Sequence, residues 1–180
     1  MSKYYTSKGD DGTTIALGKG RLPKNHPRIQ AVGAVDEATA ALGMARAQSG
    51  SPEINQLVQA VQLDLYNLMT LLVLDKPNPD KFPDLDPGRV TWLEEQIERF
   101  SSSEGAPGEF ILPGDSVPSA AFSLARTSVR RAERQVVELS RSETLHSNNT
   151  LPFLNRLSSL CYVLELYLVD HDPTLVRDQS

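Results

Sequence analysis

Apolar side chains return at steps of three and four along most of this chain, and the pattern is cleanest between Phe122 and Leu139. There Phe122, Ala125, Val129, Ala132, Val136 and Leu139 fall on one stripe, which predicts an amphipathic helix with a buried seam. Ile54, Leu57, Val58, Val61, Leu65, Leu68, Met69 and Leu72 keep the same spacing and predict a helix from Glu53 to Leu74. From Arg28 to Ala47 the chain is alanine-rich, with Ile29, Val32, Val35, Ala38, Ala40 and Leu42 in the apolar positions and Pro27 at the start, where proline is tolerated. A shorter helix is predicted over Gly88–Phe100, with Val90, Leu93, Ile97 and Phe100 inward and Glu94, Glu95 and Glu98 outward. The last runs from Leu151 to Asp170 on a seam of Leu154, Leu157, Cys161, Leu164 and Leu168.

Between these stretches the pattern stops for readable reasons. Four prolines within Lys76–Pro87 cannot continue a helix. Ser101–Gly108 reads as a flexible connector, and Phe110–Asp115 as a brief apolar segment ended by Pro113-Gly114. The last ten residues, 171–180, with His171, Pro173 and Arg177, read as a loose tail. No strand and no internal repeat stands out. Four or five helices with short connectors predict an all-α bundle, and 180 residues without a composition shift predict a single domain, 1–180.

The polar face of the Phe122–Leu139 helix changes the picture. Arg126, Arg130 and Arg134 step by four beside the seam, with Arg131 and Glu133 adjacent. A polyphosphate, carboxylates from another helix or subunit, or solvent and self-pairing would each answer such a stack. Residues 1–27 open with Thr6-Ser7-Lys8-Gly9-Asp10-Asp11-Gly12-Thr13-Thr14, a glycine-rich segment of the kind whose backbone N–H groups converge on phosphate oxygens. Its hydroxyls, with Lys8, Lys19 and Lys24, add donors. It matches neither the P-loop nor the dinucleotide fingerprint, and taken alone such a cluster is more often an ordinary loop.

A net charge of −5 and a pI near 5.2 argue against a nucleic-acid partner. The longest apolar run, Leu71–Leu74, is too short for a membrane span. The glycine-rich segment begins at once, which predicts a chain without a leader. A lone cysteine, Cys161, cannot form an internal disulfide and reads as a core residue, so a cytoplasmic protein is expected. His26, His146 and His171 are scattered and are read as belonging to no Glu-x-x-His pair of the di-metal bundles, so no protein-held metal site is expected.

Taken together, four blocks resemble the PduO-type ATP:corrinoid adenosyltransferases, over Tyr5 to about Tyr167. They are Tyr5–Thr14; Lys24-Asn-His-Pro-Arg28 running into Gly33-Ala-Val-Asp-Glu37; Phe110-Ile-Leu-Pro-Gly114; and Ala125–Arg134 followed by Phe153-Leu-Asn-Arg-Leu-Ser158. The resemblance implies a homotrimer of five-helix bundles with active sites between subunits. It implies transfer of the 5′-deoxyadenosyl group of ATP to Co(I) of a corrinoid, with Mg²⁺. By position, Thr6, Ser7, Lys8, Gly9, Thr14 and Ile15 would hold the phosphates, with Lys24 as a cationic clamp. Arg130, Arg131, Ala132, Glu133, Arg134 and Asn155 would complete the ATP site. Asp36 and Arg126 match a salt bridge across the subunit interface, and Phe110 matches an aromatic that excludes the lower axial ligand of the corrin. A reductase and an adenosylcobalamin-dependent acceptor enzyme are the implied partners.

The chain departs from that family's pattern at several positions. The usual second glycine after Pro113 is Asp115, and a histidine before the arginine run is Ser123. On the last helix a usual Asp-Tyr is Ser159-Leu160, and a frequent arginine is Leu166. Asn155, Ser159, Tyr162 and Leu166 share a helical stripe, so an acid and a base are lost together, which leaves no orphan charge. The rival reading is a non-catalytic paralogue that stores or delivers corrinoid or nucleotide.

Overall fold

Proline in the first turn marks three of the helix starts, each behind a side chain that accepts a backbone N–H. His26 Nδ1 accepts from Arg28 N at 3.2 Å ahead of α1 (Pro27–Gln48). Ser51 does so for Ile54 N at 3.3 Å ahead of α2 (Pro52–Val73). Ser116 accepts from Ser119 N at 3.1 Å ahead of the arginine helix, α4 (Val117–Ser142). Between them lies α3 (Gly88–Phe100), and the last helix, α5, spans Thr150–Tyr167. The computed structural model describes residues 4–18, 20–76, 78–101, 107–169 and 172–176.

α1 lies against α2 and α4, and α5 against α4 and α3. All six predicted seam residues of α4 are buried, together with Leu42, Ile54, Leu65, Phe153 and Leu157 from the neighbouring helices. On α1 the buried positions are Ala31, Ala34, Val35, Ala38, Leu42 and Ala45; Ala40 is exposed. Short alanines there let α1 approach its neighbours closely.

Arg28 is 5% exposed and ties three elements together. Its guanidinium donates to Leu72 O at 3.0 Å and to Leu74 O, so it answers carbonyls left open at the end of α2. It also pairs with Glu143 just past α4. Contrary to the reading that no histidine belongs to a Glu-x-x-His pair, Glu143 and His146 stand at that spacing; the structure engages Glu143 with Arg28, and His146 with Leu74 O at 3.0 Å. Arg89 of α3 grips Asp64 of α2 through Nε and Nη2 at 2.9 and 2.7 Å and stacks on Trp92 at 3.8 Å.

Two expectations fail. The N-terminal segment contains a hairpin, β1 (Thr13–Ala16) antiparallel to β2 (Gly20–Pro23), with Thr13 opposite Pro23 and Ala16 opposite Gly20. Four-residue strands are too short to display a period of two, and only long-range pairing reveals them. The hairpin docks on the end of α2, where Asp75 N donates to Leu17 O at 3.0 Å. Residues 172–176, expected as part of a loose tail, pair instead with the Phe110 segment. His171, Arg177, Lys19 and Asp170 lie outside the described residues. Among the described residues no helix is long and apolar enough to cross a membrane.

Candidate active site

The glycine-rich loop is shaped by its own polar side chains. Asp11 Oδ1 accepts from Thr13 N at 2.9 Å and from Thr13 Oγ1 at 2.8 Å, and Thr13 holds its carboxyl below the usual carboxylate range. Arg21, reaching across from β2, donates to Thr13 Oγ1 at 2.7 Å, to Thr13 O at 3.1 Å and to Lys8 O. Arg21 therefore braces the loop from below, a role the sequence did not disclose; its register opposite Ile15 became visible only with the hairpin.

Ser7 has φ +55°, a left-handed conformation that costs a non-glycine residue about 1 kcal/mol or more and concentrates at functional loops. Lys24, just beyond β2, returns onto the loop: its backbone N–H donates to Gly12 O at 2.9 Å, and its ammonium lies against Gly9. A Cβ at Gly9 would stand 3.3 Å from Lys24 Nζ and 3.4 Å from Thr13 O. The absence of a side chain at Gly9 thus leaves room for the Lys24 ammonium beside the loop. Thr6, Ser7 and Lys8 are exposed beside it, Thr14 is half-buried, and Ile15 projects its side chain outward.

The second cluster sits on α4 and α5. Ala132 is buried in the seam, while Arg130, Arg131 and Arg134 are exposed and Glu133 is half-buried. Asn155 Nδ2 donates to Glu133 Oε1 at 3.2 Å, and Arg156 Nη1 donates to Asn155 Oδ1 at 2.9 Å. Arg156 is anchored in turn on Glu94 of α3 at 2.8 Å. This relay fixes the amide of Asn155 between an acid and a base. Arg131 is engaged by Glu37 of α1. Arg130 and Arg134 point outward from the bundle, and the hairpin with its loop stands at the end of α2.

A family model described as cobalamin adenosyltransferase matches residues 4–168 of this chain. The chain belongs to the cobalamin adenosyltransferase family. Among family members, the cobalamin adenosyltransferase of Cupriavidus metallidurans is 38% identical over 168 residues, which cover 91% of this chain and 86% of that protein. The corrinoid adenosyltransferase of Citrobacter freundii is 32% identical over 90% of this chain and 92% of its own length. A solved structure of a phenylalanine-to-alanine variant of the PduO-type ATP:corrinoid adenosyltransferase from Lactobacillus reuteri, complexed with cobalamin and ATP, superposes with a TM-score of 0.86. It is 33% identical and covers 97% of this chain and 99% of that one. The all-α five-helix bundle is therefore the family fold, here with its small hairpin.

Asp36 and Arg126, expected from the resemblance to pair across a subunit interface, occupy different settings within one chain. Asp36 is exposed on α1. Arg126 is half-buried and faces Glu165 of its own chain, Nε to Oε2 at 3.4 Å, with its guanidinium 5.7 Å from the Tyr162 ring centre. Glu165 is 0% exposed, and neither of its oxygens nor Arg126 Nε has a well-formed hydrogen bond. Burial pushes the Glu165 carboxyl above its ordinary value, and Ser123 and Arg126 pull it back only in part. Sequence periodicity missed Glu165 because it lies beside Leu164 at the edge of the seam, and no local signal marks which edge residues tertiary packing will cover. Burial also pushes the neighbouring Cys161 thiol up to about 12, so Cys161 is a core residue and no thiolate nucleophile.

A carboxyl whose folded value is raised favours the folded state below its unfolded value, and that stabilisation is lost as pH rises through the folded value. Glu165→Gln will therefore flatten the pH dependence of the melting temperature above the ordinary carboxylate range and raise the melting temperature at the alkaline end. The groups facing Glu165 are Arg126, Ser123, Cys161 and Tyr162. Parallel melting curves for wild type and variant across that range would rule out a buried charge at this position.

Proposed function

We propose that this chain transfers the 5′-deoxyadenosyl group of ATP to Co(I) of a corrinoid and releases triphosphate. The observation that carries the reading is the pair of clusters suited to bind an anion in a member of this family: Lys24 closed onto Gly9 in one, Arg130, Arg134 and the held Asn155 in the other. In the reaction the Co(I) electron pair attacks the ribose 5′ carbon, the bond from that carbon to the triphosphate oxygen breaks, and its electrons leave on triphosphate. Negative charge therefore grows on the leaving group. Lys8, Lys24, Arg130, Arg134 and the loop N–H groups stabilise it more in the transition state than in the ground state. No general base is needed, in keeping with a site whose side chains bind and orient.

The two clusters face outward from different parts of one chain, which supports a homotrimer in which the loop of one subunit meets α4 of the next. Asp36 and Arg126 would then meet across that interface, with Glu165 a second carboxylate behind Arg126. Among the described residues no three His, Cys, Asp or Glu side chains gather, so Mg²⁺ would take its ligands mainly from triphosphate and water, with Glu133 the carboxylate offered by the arginine face. The lone buried cysteine supports a cytoplasmic setting. A reductase must supply the electron that makes Co(I), and an adenosylcobalamin-dependent enzyme would receive the product.

The test is anaerobic. Pre-reduced Co(I) corrinoid should lose its absorbance only when protein and ATP are both present, with one triphosphate released per adenosylcorrinoid formed. Tight binding of ATP and corrinoid with no triphosphate would establish a carrier and overturn the transferase reading.

A further inference from the structure

Phe110, Ile111 and Leu112 run antiparallel to Thr174, Leu175 and Val176. Val176 N donates to Phe110 O at 2.9 Å, Leu112 N donates to Thr174 O at 2.8 Å, and Ile111 stands opposite Leu175. Side chains alternate across such a pair. Ile111 is accordingly half-buried, whereas Phe110 and Leu112 share the outward face, 86% and 41% exposed. An aromatic ring left in solvent on a backbone held by its pairing with residues 174–176 is what a docking wall requires.

The pairing is locked at one corner by Asp115. Its Oδ2 accepts from Thr174 N at 2.9 Å and its Oδ1 from Thr174 Oγ1 at 2.7 Å, so one carboxylate takes both donors of a single residue. Gly114, at φ +131°, makes the turn that swings Asp115 back towards Thr174. Ser116 adds a second tie, donating to Leu168 O at 2.8 Å at the end of α5. A glycine at position 115 would have no side chain with which to grip the segment.

We propose that Asp115 and Thr174 are positioning residues that latch residues 172–176 across the Phe110 segment and so set where the Phe110 ring stands against a corrinoid. The inference rests on the transferase reading and on Phe110 as the ring at the lower face of the corrin. The latch acts on the step that needs the lower ligand excluded, which is reduction of Co(II), more than on attack by Co(I) already formed.

Asp115→Gly and Thr174→Val test it in the full-length protein, with Asp115→Asn as the conservative control. Amide exchange at Leu112 and Val176 should accelerate about tenfold or more in both variants if the latch holds the pairing. Turnover started from Co(II) plus reductant should fall about five- to tenfold further than turnover started from Co(I), and Asp115→Asn, which keeps an acceptor, should restore most of that ratio. On a Phe110→Ala background the ratio should not change further, because both substitutions act through one ring. Unchanged exchange, equal losses in the two assays, or additive effects with Phe110→Ala would each overturn the latch. A wild type that transfers nothing even to Co(I) would overturn the transferase reading and the inference with it. A wild type that transfers while the ratio stays unmoved in the variants would overturn the latch alone.

Discussion

Arg130→Ala will lower adenosyl transfer to Co(I) by about 30- to 1,000-fold, equivalent to about 2–4 kcal/mol of barrier, and leave the bundle folded. The size follows from the charge that grows on triphosphate as the bond from the 5′ carbon breaks. A fixed guanidinium aimed at that charge is worth more in the transition state than in the bound ATP ground state. The sparing of the fold follows from position. Arg130 is exposed on α4, next to Val129, which is buried in the seam, so truncation opens no cavity. Arg130→Lys should recover only part of the loss, because an ammonium cannot reproduce a planar fork of donors. The check is kcat with saturating Co(I) corrinoid and ATP, alongside the melting temperature. A folded Arg130→Ala protein with near wild-type kcat would remove this residue from the site.

Phe110→Ala is expected to separate two assays that share the same chemistry. Started from Co(II) and a reductant, turnover should collapse; started from Co(I), it should decline far less. The reason lies in the metal's axial field. With the lower ligand excluded the Co(II) form is easier to reduce, and on the proposed reading a bulky apolar ring at position 110 would exclude it where alanine would not. The spectroscopic signature of four-coordinate Co(II) with ATP bound should shrink in parallel. Stability discriminates this role from core packing. Phe110 is 86% exposed in the single chain, so its truncation should cost within about 0.5 kcal/mol, whereas a buried phenylalanine would cost about 3–5 kcal/mol. Equal declines in both assays, together with a large loss of stability, would place the ring in an interface core and away from the cobalt.

Much of the architecture was legible in the residues before any coordinates. The α4 seam was readable because burial on one face of a helix repeats locally, every three or four residues, and each predicted seam position is indeed buried. The start of α4 was less legible, since Ser119, Ala120 and Ala121 carry too little apolar contrast to show a stripe, although Ser116 and Pro118 mark the cap. The family blocks likewise named the loop and arginine face by position. What they contain as types, glycines, hydroxyls, lysine and arginines, is compatible with a polyanion and equally with a solvated, self-pairing face.

Other features depended on the tertiary structure. The hairpin is one, because strands of four residues acquire meaning only when Thr13 meets Pro23. Arg21 and Arg28 are others: their composition matches any surface arginine, and only the fold shows one bracing the loop and the other capping α2. Asp115 read as a lost glycine until Thr174, far away in sequence, arrived within hydrogen-bond distance. Glu165 read as one more polar residue on the rim of a seam until packing closed over it against Arg126. Periodicity and motif are encoded among near neighbours, so the chain by itself determined its helices, its buried stripes and the blocks that mark its family. Partner choice for individual charged side chains depends on distance and desolvation between segments remote in sequence, and those were decided only when the helices came together.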